Sequence, residues 1–526
     1  MEPLIAALLR PEAYDHPVAA VQLLETHISW VLLTGTYAYK IKKPVNLGFV
    51  DFSTVERRAA LCQEELRLNR RLAPDLYCDV RPIHGPPHCA SFHGDGPVIE
   101  MAVRMHQFRQ EDLLPAVLEA GLPPEALVLL FEELATRLAH FHGAAGVAGA
   151  APPGEAAERV REPAIANLEA LERCLGPDPR LASLRAWTEL EAVRLAPLFE
   201  QRLDDGRVRE GHGDLHLGNM VLRHGRIEVF DCLEFSLRLR WIDVISDLAF
   251  LVMDLQQRGQ PELGGRVLDR WLEVSGDYGA LAAWPWYRAY RALVRAKVAV
   301  LRLAQPEVSS AEQSALQHDL AAYLELALAS IEPPRPTLVL MHGISGSGKS
   351  HLAARLAQRL GWLHIRSDVE RKRLFGLWGG DAQARFSGDL YRQEVSEHLF
   401  AVVLPQIAQA ALTGGLSLLL DATFLQRRER QRFHGLAVRL GVRFVLLDCR
   451  CPLELAERRI LQRQAIGADP SDADFAVLQR QLASREPLAQ EERASVLAIA
   501  MGSDEQGPLE QEAWNARVEQ LVIALG

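Results

Sequence analysis

Two short runs in this chain combine residue types suited to handling phosphate. The first is Gly211-His212-Gly213-Asp214-Leu215-His216-Leu217-Gly218-Asn219, with Asp231 twelve residues later at the end of the apolar run Ile227 to Phe230. Phosphoryl transfer asks little covalent work of a protein. It needs a carboxylate to orient the acceptor and take its proton, and oxygen ligands for magnesium. Asp214 suits the first task. Asn219, in the same loop, and Asp231, on the neighbouring hairpin, suit the second. Each residue type alone is common in polar turns; the combination and spacing carry the signal.

The second run, Gly343-Ile344-Ser345-Gly346-Ser347-Gly348-Lys349-Ser350, is a complete Walker A sequence. It follows the apolar run Leu338 to Met341 and opens the helical pattern His351 to Leu360, the strand-then-helix context the motif requires. The glycines allow backbone N–H groups to curl around phosphates at a helix N-terminus. Lys349 supplies charge for the β- and γ-phosphates, and the Ser350 hydroxyl is a magnesium ligand. Asp421 ends the apolar run Leu416 to Leu420 in Walker-B fashion, suited to hold magnesium through water. No Glu follows it, which weakens a motor-ATPase reading.

The first run resembles the aminoglycoside and choline phosphotransferase branch of the protein-kinase-like fold, which carries H-G-D-x-H-x-x-N. His212, Gly213, Asp214, His216 and Asn219 match it position by position. The resemblance is clear over residues 211–247 and weaker over about 20–330. It implies Asp214 as catalytic base, Asn219 and Asp231 as metal ligands, and Asp247 as the helix acid that braces the loop. An exposed helix acid is an equal reading of Asp247. The fold also requires a strand lysine paired with a helix glutamate. Lys40 is the choice, with Lys42 on the same strand face as rival. Glu65 is the partner acid and Glu64 the fallback. Backbone groups near Glu100 to Met105 would hold adenine. No G-x-G-x-x-G precedes Lys40, and only Gly35 stands in that turn.

Ile365 to Leu374 looks like small P-loop kinases of the polynucleotide-kinase and zeta-toxin groups, within the wider AAA-type ATP-binding class. By that resemblance Asp368 is the base and Arg371 the substrate clamp. Ser367-x-x-Glu370 also reads as a helix capping box. Arg458, Arg459 and Arg463 fall where such kinases carry a lid; Arg459 or Arg463 would meet transition-state charge.

The elements that must position these residues follow from periodicity. Val31 to Gly35 and Tyr37 to Ile41 read as strands turned at Gly35. Residues 54–73 read as a helix with Ser53 as N-cap. Residues 124–330 are mostly helical, interrupted by strands at Met220–Leu222 and Ile227–Phe230. His142 to Gly154, rich in Gly, Ala and Pro, reads as a flexible loop. The proline run Glu332-Pro333-Pro334-Arg335-Pro336 ends a helix and acts as a spacer. Beyond it, strands at 337–342, 362–366, 416–421 and 443–448 alternate with helices. The expected fold is an α+β, two-lobed, protein-kinase-like domain followed by an α/β P-loop domain with a parallel sheet. The first domain spans 1–332, its small lobe about 1–105 and its helical lobe about 106–332; the second spans 333–526.

Composition bounds the partners. The 526 residues carry a net charge of −10, which argues against bulk binding to nucleic acid or anionic membranes. Seven scattered cysteines with no zinc-ligand spacing fit a reducing cytoplasm. The N-terminus lacks a signal-peptide pattern, and no uncharged apolar stretch approaches the roughly 20 residues of a membrane helix. The expectation is an enzyme using ATP and Mg2+ at two sites, with small-molecule hydroxyl acceptors. Two alternatives stand beside it: a regulatory protein with one non-catalytic nucleotide domain, and a P-loop kinase acting on nucleic-acid ends.

Overall fold

The computed structural model describes residues 2–46, 51–305, 308–379, 390–466, 474–502 and 508–526. By packing, the chain forms two compact units. The first comprises Met1–Leu130, Ala144–Ala151 and Gln201–Leu251; the second comprises Phe131–Gly143, Pro152–Glu200 and Val252–Gly526. The proline run lies inside the second unit, so helices on both of its sides pack together there.

The first unit is built on a five-stranded antiparallel sheet of order β1-β2-β3-β5-β4. Its strands are β1 (Gln22–Glu25), β2 (Ser29–Leu33), β3 (Tyr37–Lys42), β4 (Tyr77–His84) and β5 (Val98–His106). Gly35 turns β2 into β3 with φ +92, a conformation that costs glycine little. The helix Val55–Asn69 lies beside this sheet. Its N-cap is Thr54, whose hydroxyl accepts from the Arg57 amide, and not Ser53 as the sequence suggested. Ser53 instead hydrogen-bonds the Asp51 carboxylate, which removes it from the cap. Cys62 from the helix joins Ala38, Tyr77 and Val103 from the sheet in one apolar core.

Two small sheets complete the unit. Strands β6 (Val208–Glu210) and β9 (Trp241–Asp243) pair, as do β7 (Met220–Arg223) and β8 (Arg226–Val229). The glycine-rich segment after His142 is pinned at Val147, which bridges Arg209.

In the second unit, five strands form a parallel sheet of order β11-β12-β10-β13-β14. They are β10 (Thr337–His342), β11 (Leu363–Arg366), β12 (Leu418–Asp421), β13 (Arg443–Arg450) and β14 (Val496–Ala500). The residues of β10 are all buried, as the unbroken apolar run implies. The expected strands did not include β14, which follows a short 3-10 turn, Gln490–Ser495. Among the described residues, one helical stretch, Gln393–Thr413, is long and apolar enough to cross a membrane, with mean hydropathy 1.2. Its Leu404, Ile407, Ala408, Ala411 and Leu412 are buried. All seven cysteines are unbridged.

Candidate functional sites

The first unit brings Lys40, Lys42, Glu65 and Asp231 into one charged cluster. Lys40 and Lys42 share a face of β3, two residues apart, and both reach Glu65 on the facing helix. Lys40 Nζ lies 2.8 Å from Glu65 Oε1 and 2.5 Å from Asp231 Oδ1. Lys42 Nζ lies 2.7 Å from Glu65 Oε2 and also pairs with Glu234. The two lysines differ in access: Lys42 is 1% exposed and Lys40 14%, while the Asp231 side chain is 46% exposed. Burial alone would push the Glu65 carboxyl up, but the two ammonium groups and their hydrogen bonds pull it down to about 2. Burial pushes Glu234 upward, against the pull of Lys42. Glu64, the fallback acid, pairs instead with Arg67 and Arg240.

The loop 212–219 is held by Asp247. This residue is fully buried and accepts from the amides of His212 at 2.6 Å and Gly213 at 2.9 Å. The exposed-acid reading of Asp247 is thereby corrected. Gly213 has φ +89, and a Cβ there would sit 2.7 Å from the Leu239 carbonyl. His212 Nε2 donates to the Phe230 carbonyl at 2.9 Å, and its Nδ1 accepts from the Asp214 amide at 3.3 Å. Those partners require the neutral ring protonated at Nε2, and burial lowers its pKa in keeping with that. Asn219 Nδ2 donates to the Asp214 backbone carbonyl and to Asp214 Oδ2, both at 3.0 Å. His216 Nε2 lies 3.4 Å from the same carboxylate oxygen.

The β7–β8 hairpin brings the two proposed metal ligands together. The Phe230 amide donates to the Asn219 carbonyl at 2.9 Å, which places Asp231 next to Asn219. Asp231 itself has φ +62, and its amide donates to the Tyr77 hydroxyl at 3.3 Å. A non-glycine residue in the left-handed region is a local cost that surrounding contacts must hold. The donors offered are hard oxygens: the Asp231 carboxylate and the Asn219 amide oxygen, whose nitrogen is turned to Asp214. Among the described residues no group of three or more His, Cys, Asp and Glu could hold a metal. That donor set fits magnesium, which binds through one or two protein oxygens plus phosphates and water.

One expectation is corrected here. The backbone between Glu100 and Met105 does not stand open for adenine. Strand β5 pairs with β3 on one side and β4 on the other, so Ala102 and Val103 face Ile41 and Lys40 across one ladder and Arg81 and Val80 across the other. The Glu100 carboxylate is buried and paired with Arg58 at 2.6 Å.

In the second unit the carboxyl ends of the parallel strands surround a cavity of about 780 Å³. Its lining includes Ser345, Gly346, Gly348, Lys349 and Ser350 with Asp368, Arg371, Asp421 and Arg459. The loop 343–348 is glycine-dependent. Gly346 has φ +80, and a Cβ there would meet the Ala456 carbonyl at 2.4 Å. Gly348 has φ +89 and caps the helix Lys349–Leu360. Lys349 Nζ reaches back to the Ile344 carbonyl at 2.8 Å, and Ser347 is fully buried. Asp421 is buried, which would raise its pKa; hydrogen bonds from His364 and Ser350 and the Lys349 charge bring it below the usual range. Ser350 and Asp421 are thus near neighbours, a placement that suits oxygens shared by one magnesium ion.

Asp368 lies on the helix Ser367–Arg373, with its Oδ1 3.1 Å from the Tyr391 hydroxyl. Ser367 is the first helical residue and not the cap, so the capping-box reading fails; Glu370 is turned to Arg373 and Tyr278 instead. Arg371, expected as the substrate clamp, is buried. It donates to the Leu390 carbonyl and Ser396 Oγ, and stacks 4.7 Å from the Tyr391 ring centre. Arg459 lies beside the loop, with Nη2 donating to the Gly502 carbonyl at 3.0 Å. The Arg463 side chain lies outside the described residues. Gln481 was not foreseen. Its Oε1 accepts from the Ser345 amide at 2.8 Å and its Nε2 donates to Ser345 Oγ at 2.9 Å. Nothing in the pattern of the helix Phe475–Ser484 singles it out.

Comparison with known proteins gives the same two classes. The Phosphotransferase enzyme family matches residues 49–290, and an AAA domain matches residues 338–488. The chain therefore carries an aminoglycoside-phosphotransferase-like domain followed by a P-loop kinase-like domain. Uncharacterised proteins from Mycobacterium bovis and from two strains of Mycobacterium tuberculosis are each 31% identical over 463 residues, covering 86% of this chain and 89% of theirs. The chain belongs to one family with them. Among solved structures, an ADP-bound aminoglycoside phosphotransferase is 14% identical with TM-score 0.32, covering 60% of this chain and 95% of its own. The APS kinase of Mycobacterium tuberculosis is 17% identical with TM-score 0.25, covering 36% of this chain and 99% of its own.

Proposed function

We propose that the protein is a bifunctional ATP-dependent phosphotransferase that moves γ-phosphate to hydroxyl groups of small molecules at two sites. The observation that carries this reading is the joint placement of Lys40, Glu65 and Asp231 in the unit that also holds the Asp214–Asn219 loop. Bound Mg-ATP would supply the electrophilic phosphoryl group and the charge that the transfer relieves.

At the first site Lys40, steadied by Glu65, binds phosphate oxygens. Asp231 and Asn219 provide metal oxygens. Asp214, fixed by the Asn219 amide, orients the acceptor hydroxyl and takes its proton. At the second site the backbone of 343–348 and Lys349 hold the phosphates, Ser350 would ligate magnesium directly and Asp421 through water, and Asp368 acts as base on the acceptor hydroxyl. Arg459 meets charge on the transferring group. Arg371 acts on the acceptor through the wall it forms with Tyr391.

The test is ATP consumption by Asp214→Asn and Lys349→Ala proteins, measured separately with a metabolite extract, and mass spectrometry for new phosphorylated species. Each variant should lose a different product. A variant indistinguishable from the parent removes its site from the turnover.

A further inference from the structure

The element carrying Asp368 is held by residues far upstream in the chain. Within the second unit, the helix Pro261–Ser275 packs against β11 and the helix Lys349–Leu360, the 3-10 turn Tyr278–Ala283 packs against the helix Leu404–Thr413, and hydrogen bonds tie both to the helix Ser367–Arg373. Both of these supports precede the proline run and lie outside the segment that the AAA domain matches.

Polar links cross this contact at several points. β11 is an edge strand, and its His364 amide donates to Asp269 Oδ1 at 2.7 Å. The ring of the same His364 contacts Asp421 Oδ2 through Nε2 at 3.1 Å. The Tyr278 hydroxyl donates to Glu370 Oε1 at 2.7 Å. Arg373 takes Glu370 Oε2 at 2.9 Å and donates to the Glu273 carbonyl at 2.5 Å. Tyr278, Glu370 and Asp269 are all buried, so each bond is made where an unpaired group is expensive.

The packing around these links leaves little room for sliding. A Cβ on Gly265 would sit 2.2 Å from the Gly361 carbonyl, and one on Gly414 would sit 2.2 Å from the Leu281 carbonyl. Backbone meets backbone at both points. Glu370 stands two residues after Asp368 and one before Arg371. The bond to Tyr278 therefore anchors the short helix that carries both of them.

We propose that residues 261–283 are a working part of the P-loop site, with Tyr278 and Asp269 as positioning residues: Tyr278 sets Asp368 and Arg371 through Glu370, and Asp269 sets Asp421 through His364. The inference rests on reading that site as a phosphotransfer site. It makes the helical segment that precedes the proline run a requirement for chemistry that follows it.

The experiment uses the full chain carrying Asp214→Asn, so that ATP turnover reports the P-loop site. Adding Tyr278→Phe keeps the ring and removes only the hydroxyl. Turnover should fall between about 10- and 100-fold, the scale of a misplaced catalytic group. The Kd for a fluorescent ATP analogue should stay within about twofold, since the phosphate loop is untouched. Amide exchange over 363–374 should speed up by at least about tenfold while 338–342 stays protected. Unchanged turnover and exchange overturn the proposal. So does a parallel loss of turnover and analogue affinity, which would mean general destabilisation. If Lys349→Ala in the same background turns over ATP like its parent, the phosphotransfer reading falls by itself. The exchange measurement then still decides whether Tyr278 fixes the Asp368 helix.

Discussion

Lys40 and Glu65 form an ion pair of 2.8 Å whose carboxylate is shared with Lys42 at 2.7 Å. The two lysines were rivals in the sequence, and their surroundings now separate them. Lys42 is sealed between Glu65 and Glu234, whereas Lys40 reaches the half-exposed Asp231. Lys42→Ala would leave the buried Glu234 without its cation and Glu65 with Lys40 alone, at a cost of about 3–5 kcal/mol. It should lower the Tm of the protein markedly. Lys40→Ala should leave the fold largely intact and cut first-site turnover about 100-fold or more, the usual scale for removing a charge-stabilising donor. Thermal melts alongside ATP turnover in a Lys349→Ala background separate the two effects.

Asp247 offers a second test, because its carboxylate accepts from the backbone amides of His212 and Gly213. Asn at this position keeps one oxygen acceptor and turns an amide group toward a second N–H. One of the His212 and Gly213 amides then loses its partner in a buried place. That costs about 1–3 kcal/mol. We expect Asp247→Asn to reduce first-site turnover at least about tenfold while second-site turnover holds. Equal activity of variant and parent at both sites would show that the loop holds its shape without this brace.

Gly346 tests the second site by shape alone. Its φ of +80 already disfavours any side chain, and a Cβ would stand 2.4 Å from the Ala456 carbonyl. Gly346→Ala must therefore open the loop 343–348 or push the helix Leu453–Ile466 away. Isothermal titration with an ATP analogue should show at least about tenfold weaker binding at this site. First-site binding, isolated by comparison with Lys40→Ala, should be unaltered.

Much of this was legible in the residues themselves. The two motifs and their flanking periodicity gave the fold class and put Asp214, Asn219, Lys349 and Ser350 on the right elements. Four of the five parallel strands followed from apolar runs. What the sequence did not show depends on long-range partners. Lys40 and Lys42 differ only in what faces them from Glu234 and Asp231. Glu370 looked like a local cap because its true partner, Tyr278, is 92 residues away. The Glu100–Met105 backbone looked open because a one-dimensional reading does not show that β5 is paired on both sides. Gln481 carried no signal, since a glutamine within a helix is ordinary until a phosphate loop is placed against it.

Glu429 gives a prediction in pH. It lines the cavity of the second site near Gln426 and Arg428. Burial pushes its carboxyl up to about 7, against the opposing pull of the Gln426 backbone and of Arg428, Arg430 and Arg432. A carboxyl whose folded pKa lies above its unfolded value of 4.5 keeps its proton longer in the folded state. Its contribution to stability is therefore most favourable at low pH and declines as pH rises from about 4.5 through about 7. Glu429→Gln carries no such titration. Parent and variant should have similar stability near pH 4.5, and the variant should become the more stable by on the order of 1–3 kcal/mol by pH 8. Urea melts at several pH values read the difference directly. A gap that stays constant from pH 4.5 to 8 would mean that Glu429 titrates as an ordinary exposed glutamate. If the gap opens as expected, second-site turnover in the parent should also change with a midpoint near pH 7 that the variant lacks, because the charge on Glu429 faces the same cavity as Asp368.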